Sequence, residues 1–146
     1  EDTTDKCIKL EFPENLSKVH FIKMTLTEDG KVVSDNFYHR SLEENNYQDL
    51  CQLAKVALQS ATTVDKNADG TWSAVSVIEN KTSTPALMIR LNVVDGKDDQ
   101  QILPVFYSDN YFSLLPGEKK EVRMSWRDED TRGNEGKVLI TGYNVE

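Results

Sequence analysis

The chain has 146 residues, a formal charge of −8 and a pI near 4.8. That length is typical of one domain, and it can bury a core without disulfide or metal staples. Phosphate backbones repel such a surface, and the basic residues lie singly or in short pairs such as Lys119-Lys120, which excludes nucleic acid as an expected partner. No apolar run approaches the roughly 18 residues that a membrane helix needs, and the polar opening Glu1–Lys6 has no apolar stretch behind it that would mark a targeting peptide.

In chain order, the first pattern is alternation at Ile8, Leu10 and Phe12, which reads as a strand just after Cys7. A second alternating run, His20–Thr27, places Ile22, Met24 and Leu26 on one face and closes at the hairpin signal Glu28-Asp29-Gly30. The segment Ser41–Asn46 is polar but too short to separate two domains, so residues 1–146 are expected to form a single domain. Tyr47, Leu50, Cys51 and Ala54 stand at helical spacing, which predicts a short helix or 3₁₀ turn near 47–54, in a crossover between sheets. Asn67-Ala68-Asp69-Gly70 is a turn before Trp72, and Val75 and Val77 then alternate up to Asn80.

Leu87, Ile89, Leu91 and Val93 form the longest alternating strand, ended by Asp95–Asp99. Leu114-Leu115 leads into Pro116-Gly117, a fixed φ followed by a permissive residue and so a type II turn. Val122, Met124 and Trp126 alternate next, and the charged loop Asp128–Gly136 precedes Val138–Ile140. Short strands with frequent turns predict an all-β sandwich or barrel. The expected core is Leu10, Ile22, Met24, Leu26, Val75, Val77, Leu87, Ile89, Leu91, Val105, Leu114, Val122, Met124, Trp126 and Ile140.

Sites of chemistry are sparse. Asp65, Asn67 and Asp69 open like a calcium loop with Gly70 at the turn, but Ser76 stands where a bidentate carboxylate is needed; a hairpin turn explains the same residues. Paired carboxylates for glycoside hydrolysis occur only as the charge runs Glu43-Glu44, Asp98-Asp99 and Asp128-Glu129-Asp130. No nucleophile elbow, P-loop or dinucleotide fingerprint is present, so neither a catalytic residue nor a cofactor is assigned. Cys7, Cys51, His20 and His39 do not make a zinc site; the two thiols can pair or stay buried separately. Asn15-Leu16-Ser17 and Asn80-Lys81-Thr82 are sequons, and Asn80 also suits the turn that closes its strand. Trp72, Tyr107, Asp109, Asn110 and Tyr111 are the candidate sugar or domain contacts. Tyr111 and Phe112 must point to opposite faces, so at least one should anchor the corner in the core.

The run Leu103–Glu118, with P-V-F-Y-S-D-N-Y-F followed by L-L-P-G-E, resembles the immunoglobulin-like domain near the C-terminus of glycoside hydrolase family 2 enzymes, particularly exo-β-D-glucosaminidases and β-mannosidases. Asn36-Phe37-Tyr38, Val77–Asn80, Pro85–Leu87 and the ending Gly142-Tyr143-Asn144 agree in order, so the resemblance covers about residues 21–146. It implies an immunoglobulin-like β-sandwich of seven to nine antiparallel strands that serves as a non-catalytic accessory module of a larger secreted β-glycosidase. The catalytic (β/α)₈ barrel of such enzymes needs about 250 residues and cannot be here. The implied partners are other domains of the parent glycosidase, with oligosaccharide binding and protein adhesion as alternatives, no membrane insertion, and a periplasmic or extracellular location.

Overall fold

The computed structural model describes Lys6 and residues 8–146; whether Cys7 pairs with Cys51 or is buried separately lies outside the described residues, and Cys51 is exposed rather than buried. The chain divides into two compact units, residues 1–52 and residues 53–146.

The first unit is built on one hairpin, β1 (Val19–Glu28) and β2 (Lys31–Ser41), paired antiparallel from Val19↔Ser41 to Glu28↔Lys31. Its two-residue loop is Asp29-Gly30, at φ 50° and 75°, the left-handed pair that matches the twist of a tight hairpin. The helical spacing beyond it yields a single 3₁₀ turn, Gln48–Gln52. Ile8–Phe12 alternates but forms no strand. Alternation specifies a face, whereas a strand also needs a ladder partner, and none is recorded for this segment among the described residues. Leu10, Met24 and Leu26 are exposed, not in a core, and Ile22 is only half-buried, because the hairpin is a single layer.

The second unit is a sandwich. One sheet has the order β3-β4-β8-β6 and the other β7-β5-β9, the four-plus-three division of an immunoglobulin-like fold. The strands are β3 (Gln59–Lys66), β4 (Thr71–Glu79), β5 (Ala86–Asp95), β6 (Phe106–Tyr107), β7 (Phe112–Leu114), β8 (Lys119–Arg127) and β9 (Gly136–Thr141). All pair antiparallel with their neighbours. The inner faces bring together Trp72, Ala74 and Ile78 of β4, Val122, Met124 and Trp126 of β8, and Ile89, Leu91 and Val93 of β5. At the centre Trp72 and Trp126 face each other in register, their rings parallel within 3° at a centroid distance of 6.4 Å.

One strand is turned over relative to expectation. Val75 and Val77 are half-buried on the outer face, and the buried face of β4 is Trp72, Ala74, Ser76 and Ile78. The register Ala74↔Met124 and Ser76↔Val122 continues the core face of β8, so Trp72 sets the phase. Valine suits the outward face because β-branched side chains fit a half-buried pleat. The buried Ser76 hydroxyl is matched by the Thr62 hydroxyl at 2.7 Å. Val105 and Ile140 pack on the core only partly buried, while Leu87, Ile89, Leu91, Leu114, Val122, Met124 and Trp126 are interior as expected.

Candidate functional site

Among the exposed bulky side chains of the second unit, Met88, Tyr111 and Leu139 lie on the β7-β5-β9 sheet and its corner, while Leu103 and Phe106 lie elsewhere. On β5, alternation turns Ile89, Leu91 and Val93 inward and Met88, Arg90 and Asn92 outward. Arg90 pairs with Thr141 of β9, and Asn92 pairs with Leu139. The β5–β7 register shifts between Ala86↔Leu114 and Ile89↔Phe112, so three steps on β5 oppose two on β7. This bulge lifts Met88 out: it is 46% exposed and sits at φ 52°. Its N–H donates to the Ser113 hydroxyl at 3.3 Å.

The facing corner, Tyr107–Phe112, is held by Asn110. The Asn110 carbonyl oxygen accepts the N–H of Leu91 at 2.8 Å and its amide donates to the Leu91 carbonyl at 2.9 Å, so one side chain replaces a strand residue in the ladder. The Asp109 carboxylate accepts the Asn110 N–H at 2.7 Å and forms an ion pair with Lys120. The Lys120 ammonium lies 4.9 Å from the centre of the buried Phe112 ring. With Phe112 inside, Tyr111 is thrown outward at φ 59° and 56% exposure, as the opposite-faces argument expects. Its ring lies 5.9 Å from the Arg90 guanidinium, within cation–π range.

The geometry therefore brings Tyr111, Asn110 and Asp109 into one corner but gives them different tasks. Tyr111 is available to a partner, whereas Asn110 and Asp109 are occupied in building the turn. Tyr107 is half-buried, and its hydroxyl accepts the Val93 N–H at 3.2 Å; burial pushes its acidity below that of a free phenol, so its pKa is raised. Trp72 is 8% exposed and its indole N–H donates to Asp128 at 2.7 Å, so it belongs to the core and offers no face to a sugar. Met88 and Leu139 are exposed on this face, with Arg90 half-buried between them and Tyr111, and none of the three was singled out as a contact from sequence. The one legible signal was Arg90, a long cation in the middle of an apolar strand.

Of the Asp65–Gly70 segment, Asp65 and Lys66 end β3 and Asn67–Gly70 forms the hairpin turn to β4. Asp69 accepts both the N–H and the hydroxyl of Thr71, at 3.0 and 2.6 Å, and these bonds hold its pKa below the usual carboxylate range. Asn67 donates to the Thr71 hydroxyl at 2.9 Å. No group of three metal-ligating acidic, His or Cys side chains occurs among the described residues. In the charge run at 128–130, Asp128 accepts from Lys66 at 2.8 Å and from Trp72, and these bonds lower its pKa. Asn80 is fully buried: its amide donates to the carbonyls of Thr84 and Leu114, and its oxygen accepts the Thr82 N–H and hydroxyl. Its sequon is thus consumed by the fold.

The sequence profile described as the exo-beta-D-glucosaminidase Ig-fold domain matches residues 36–145. The exo-beta-D-glucosaminidase of Arthroderma benhamiae is 31% identical over 144 residues, covering 88% of this chain and 16% of its own length. The mannosylglycoprotein endo-beta-mannosidase of Lilium longiflorum is 47% identical over 47 residues, 32% of this chain and 5% of its own length. The crystal structure of the Amycolatopsis orientalis exo-chitosanase superposes with a TM-score of 0.81 at 28% identity, covering 90% of this chain and 18% of that one. The chain thus spans less than one fifth of the relatives it matches. A four-plus-three sandwich, the corner built on Asn110 and a profile match over three quarters of the sequence converge: the chain belongs to the immunoglobulin-fold domain family of exo-β-D-glucosaminidases.

Proposed function

We propose that this chain is a non-catalytic accessory module of a larger, exported β-glycosidase, and that the outer β7-β5-β9 face is its contact with another domain of that enzyme. The observation that carries the reading is the family match to an immunoglobulin fold amounting to less than one fifth of the relatives' length. The geometry supports the contact. Met88 and Tyr111 are large, exposed and held at left-handed φ, a conformation costing about 1–3 kcal/mol where glycine is absent. Such strain is retained where the side chain itself is needed. Glu43, Asp69, Asp95 and Asp128 have lowered pKa values, which favour the charged form and do not suit those four groups to the part of a general acid.

A carbohydrate-binding role is the second reading, favoured by the exposed Tyr111 ring. Against it, the Arg90 guanidinium beside that ring repels the ammonium group of a glucosamine unit. The test is to incubate the chain with aryl β-D-glucosaminide and β-D-mannoside, and to titrate it calorimetrically with oligosaccharides of glucosamine, mannose and galactose. No turnover and flat traces at millimolar sugar support the accessory reading. Saturable heat moves the assignment to sugar binding, and turnover that copurifies with the chain refutes both.

A further inference from the structure

We propose that Asn15 is an acceptor for an N-linked oligosaccharide, presented on a solvent-facing turn ahead of β1. The inference rests on the exported location proposed above and concerns a residue that reading does not use. The two sequons carry the same chemical instruction in opposite surroundings. Asn80 is fully buried, and a sugar on its amide nitrogen would displace the Thr84 and Leu114 carbonyls that this nitrogen holds. Asn15 is exposed, and no hydrogen bond of its side chain is recorded among the described residues. The turn that presents it is local. The Leu16 N–H donates to the Pro13 carbonyl at 3.2 Å, which closes a four-residue turn with Asn15 at its third position. Asparagine suits such a corner. Glu14 and Ser17 are exposed too, while Leu16 is half-buried, so the turn is anchored by Leu16 and its corner meets water.

The chemistry is a glycosyl transfer. The Asn15 amide nitrogen attacks the anomeric carbon of an oligosaccharide carried on a polyprenyl diphosphate, the sugar donor of a eukaryotic secretory membrane. A nitrogen–carbon bond forms and the bond from that carbon to the diphosphate oxygen breaks. The lipid diphosphate leaves with the electron pair, one amide proton passes to a base of the transferase, and nothing is oxidised or reduced. The acceptor sequence needs a middle residue other than proline, here Leu16, and a hydroxyl two residues on, here Ser17. In the folded chain the Ser17 hydroxyl donates to the Val19 carbonyl at 2.7 Å, at the entry of β1. That bond spans two residues and forms with the strand, so the hydroxyl is unengaged in the extended chain that a transferase reads. After folding, the sugar needs only solvent, which the exposed corner provides.

The test is to secrete the 146-residue chain and the parent-length protein from a eukaryotic host behind a cleavable signal sequence. Each is then treated with a peptide N-glycosidase in heavy-oxygen water, which turns a glycosylated asparagine into a labelled aspartate, and the peptides are weighed. Most molecules of both proteins should carry the label at position 15. Ser17→Ala should abolish it, and Ser17→Thr, which keeps the hydroxyl, should retain it. The glycosylated chain should show the same main thermal transition as the chain after sugar removal. An unlabelled Asn15 in the secreted chain would overturn the inference. Label on the chain but not on the parent-length protein would overturn it too, by showing the turn covered. Label confined to a fraction without a thermal transition would do the same, because the fold would then exclude the sugar. Since the signal sequence is supplied, these failures leave the accessory reading standing, which the sugar titration decides.

Discussion

At the scale of single residues, two buried side chains carry the sandwich, and one of them was readable. Trp126 alternates with Val122 and Met124, so its interior position followed from spacing. Trp126→Ala should cost about 3–5 kcal/mol in a denaturant titration. Asn80 was readable only as a turn former. That it would bind four groups across 34 residues of sequence depends on where Leu114 arrives, which no local pattern encodes. Asn80→Ala leaves the Leu114 carbonyl and the Thr82 N–H without their partner and should cost at least about 2 kcal/mol. Expressed through a eukaryotic secretory route, Asn80 should carry no glycan by peptide mass analysis. Asp128 sets an acid limit. Hydrogen bonds from Lys66 and then Trp72 lower its pKa in the folded protein, so its stabilisation is fully present above the ordinary carboxylate range and is lost as pH falls through the folded value. Melting temperature against pH should therefore fall less steeply on the acid side for Asp128→Asn than for the parent sequence.

At the scale of elements, turns were the most legible features because their chemistry is local. Pro116-Gly117 forms the expected turn: Gly117 stands at φ 81° and the Glu118 N–H reaches the Leu115 carbonyl at 3.0 Å. Gly117→Ala forces a Cβ into that left-handed conformation and should cost about 1 kcal/mol, measured by chemical denaturation. Strand faces were less legible. In A-V-S-V-I the apolar residues occupy both faces of β4, and only the distant partner Trp126 decides that Trp72 and Ile78 go inside. β3 gave no signal, since its Gln, Ser and Thr residues lie on an edge strand with little to bury. The bulge at Met88 and the left-handed Tyr111 were invisible because neither position carries the glycine or asparagine that usually marks such backbone.

For the whole molecule, the composition and punctuation led to a sandwich, and the Leu103–Glu118 run led to the family. The run could do so because it encodes an entire corner: Ser108 and Asn110 bond neighbouring strands, Phe112 enters the core, and Pro116-Gly117 turns the chain back under Asn80. The division at residue 52 was not legible, because the polar break Ser41–Asn46 is short and residue 52 falls inside the 47–54 stretch, whose spacing reads as a helical turn. Whether the outer β7-β5-β9 face serves contact with another domain is best tested by replacing both strained residues with glycine, Met88→Gly with Tyr111→Gly. Thermal unfolding of the 146-residue chain and of the parent-length enzyme is then compared. The account predicts that the variant chain melts at the same or a higher temperature, because strain is relieved, while the parent-length variant melts lower. A destabilised variant chain beside an unchanged parent-length enzyme would contradict it, and would make these side chains part of the sandwich's own packing.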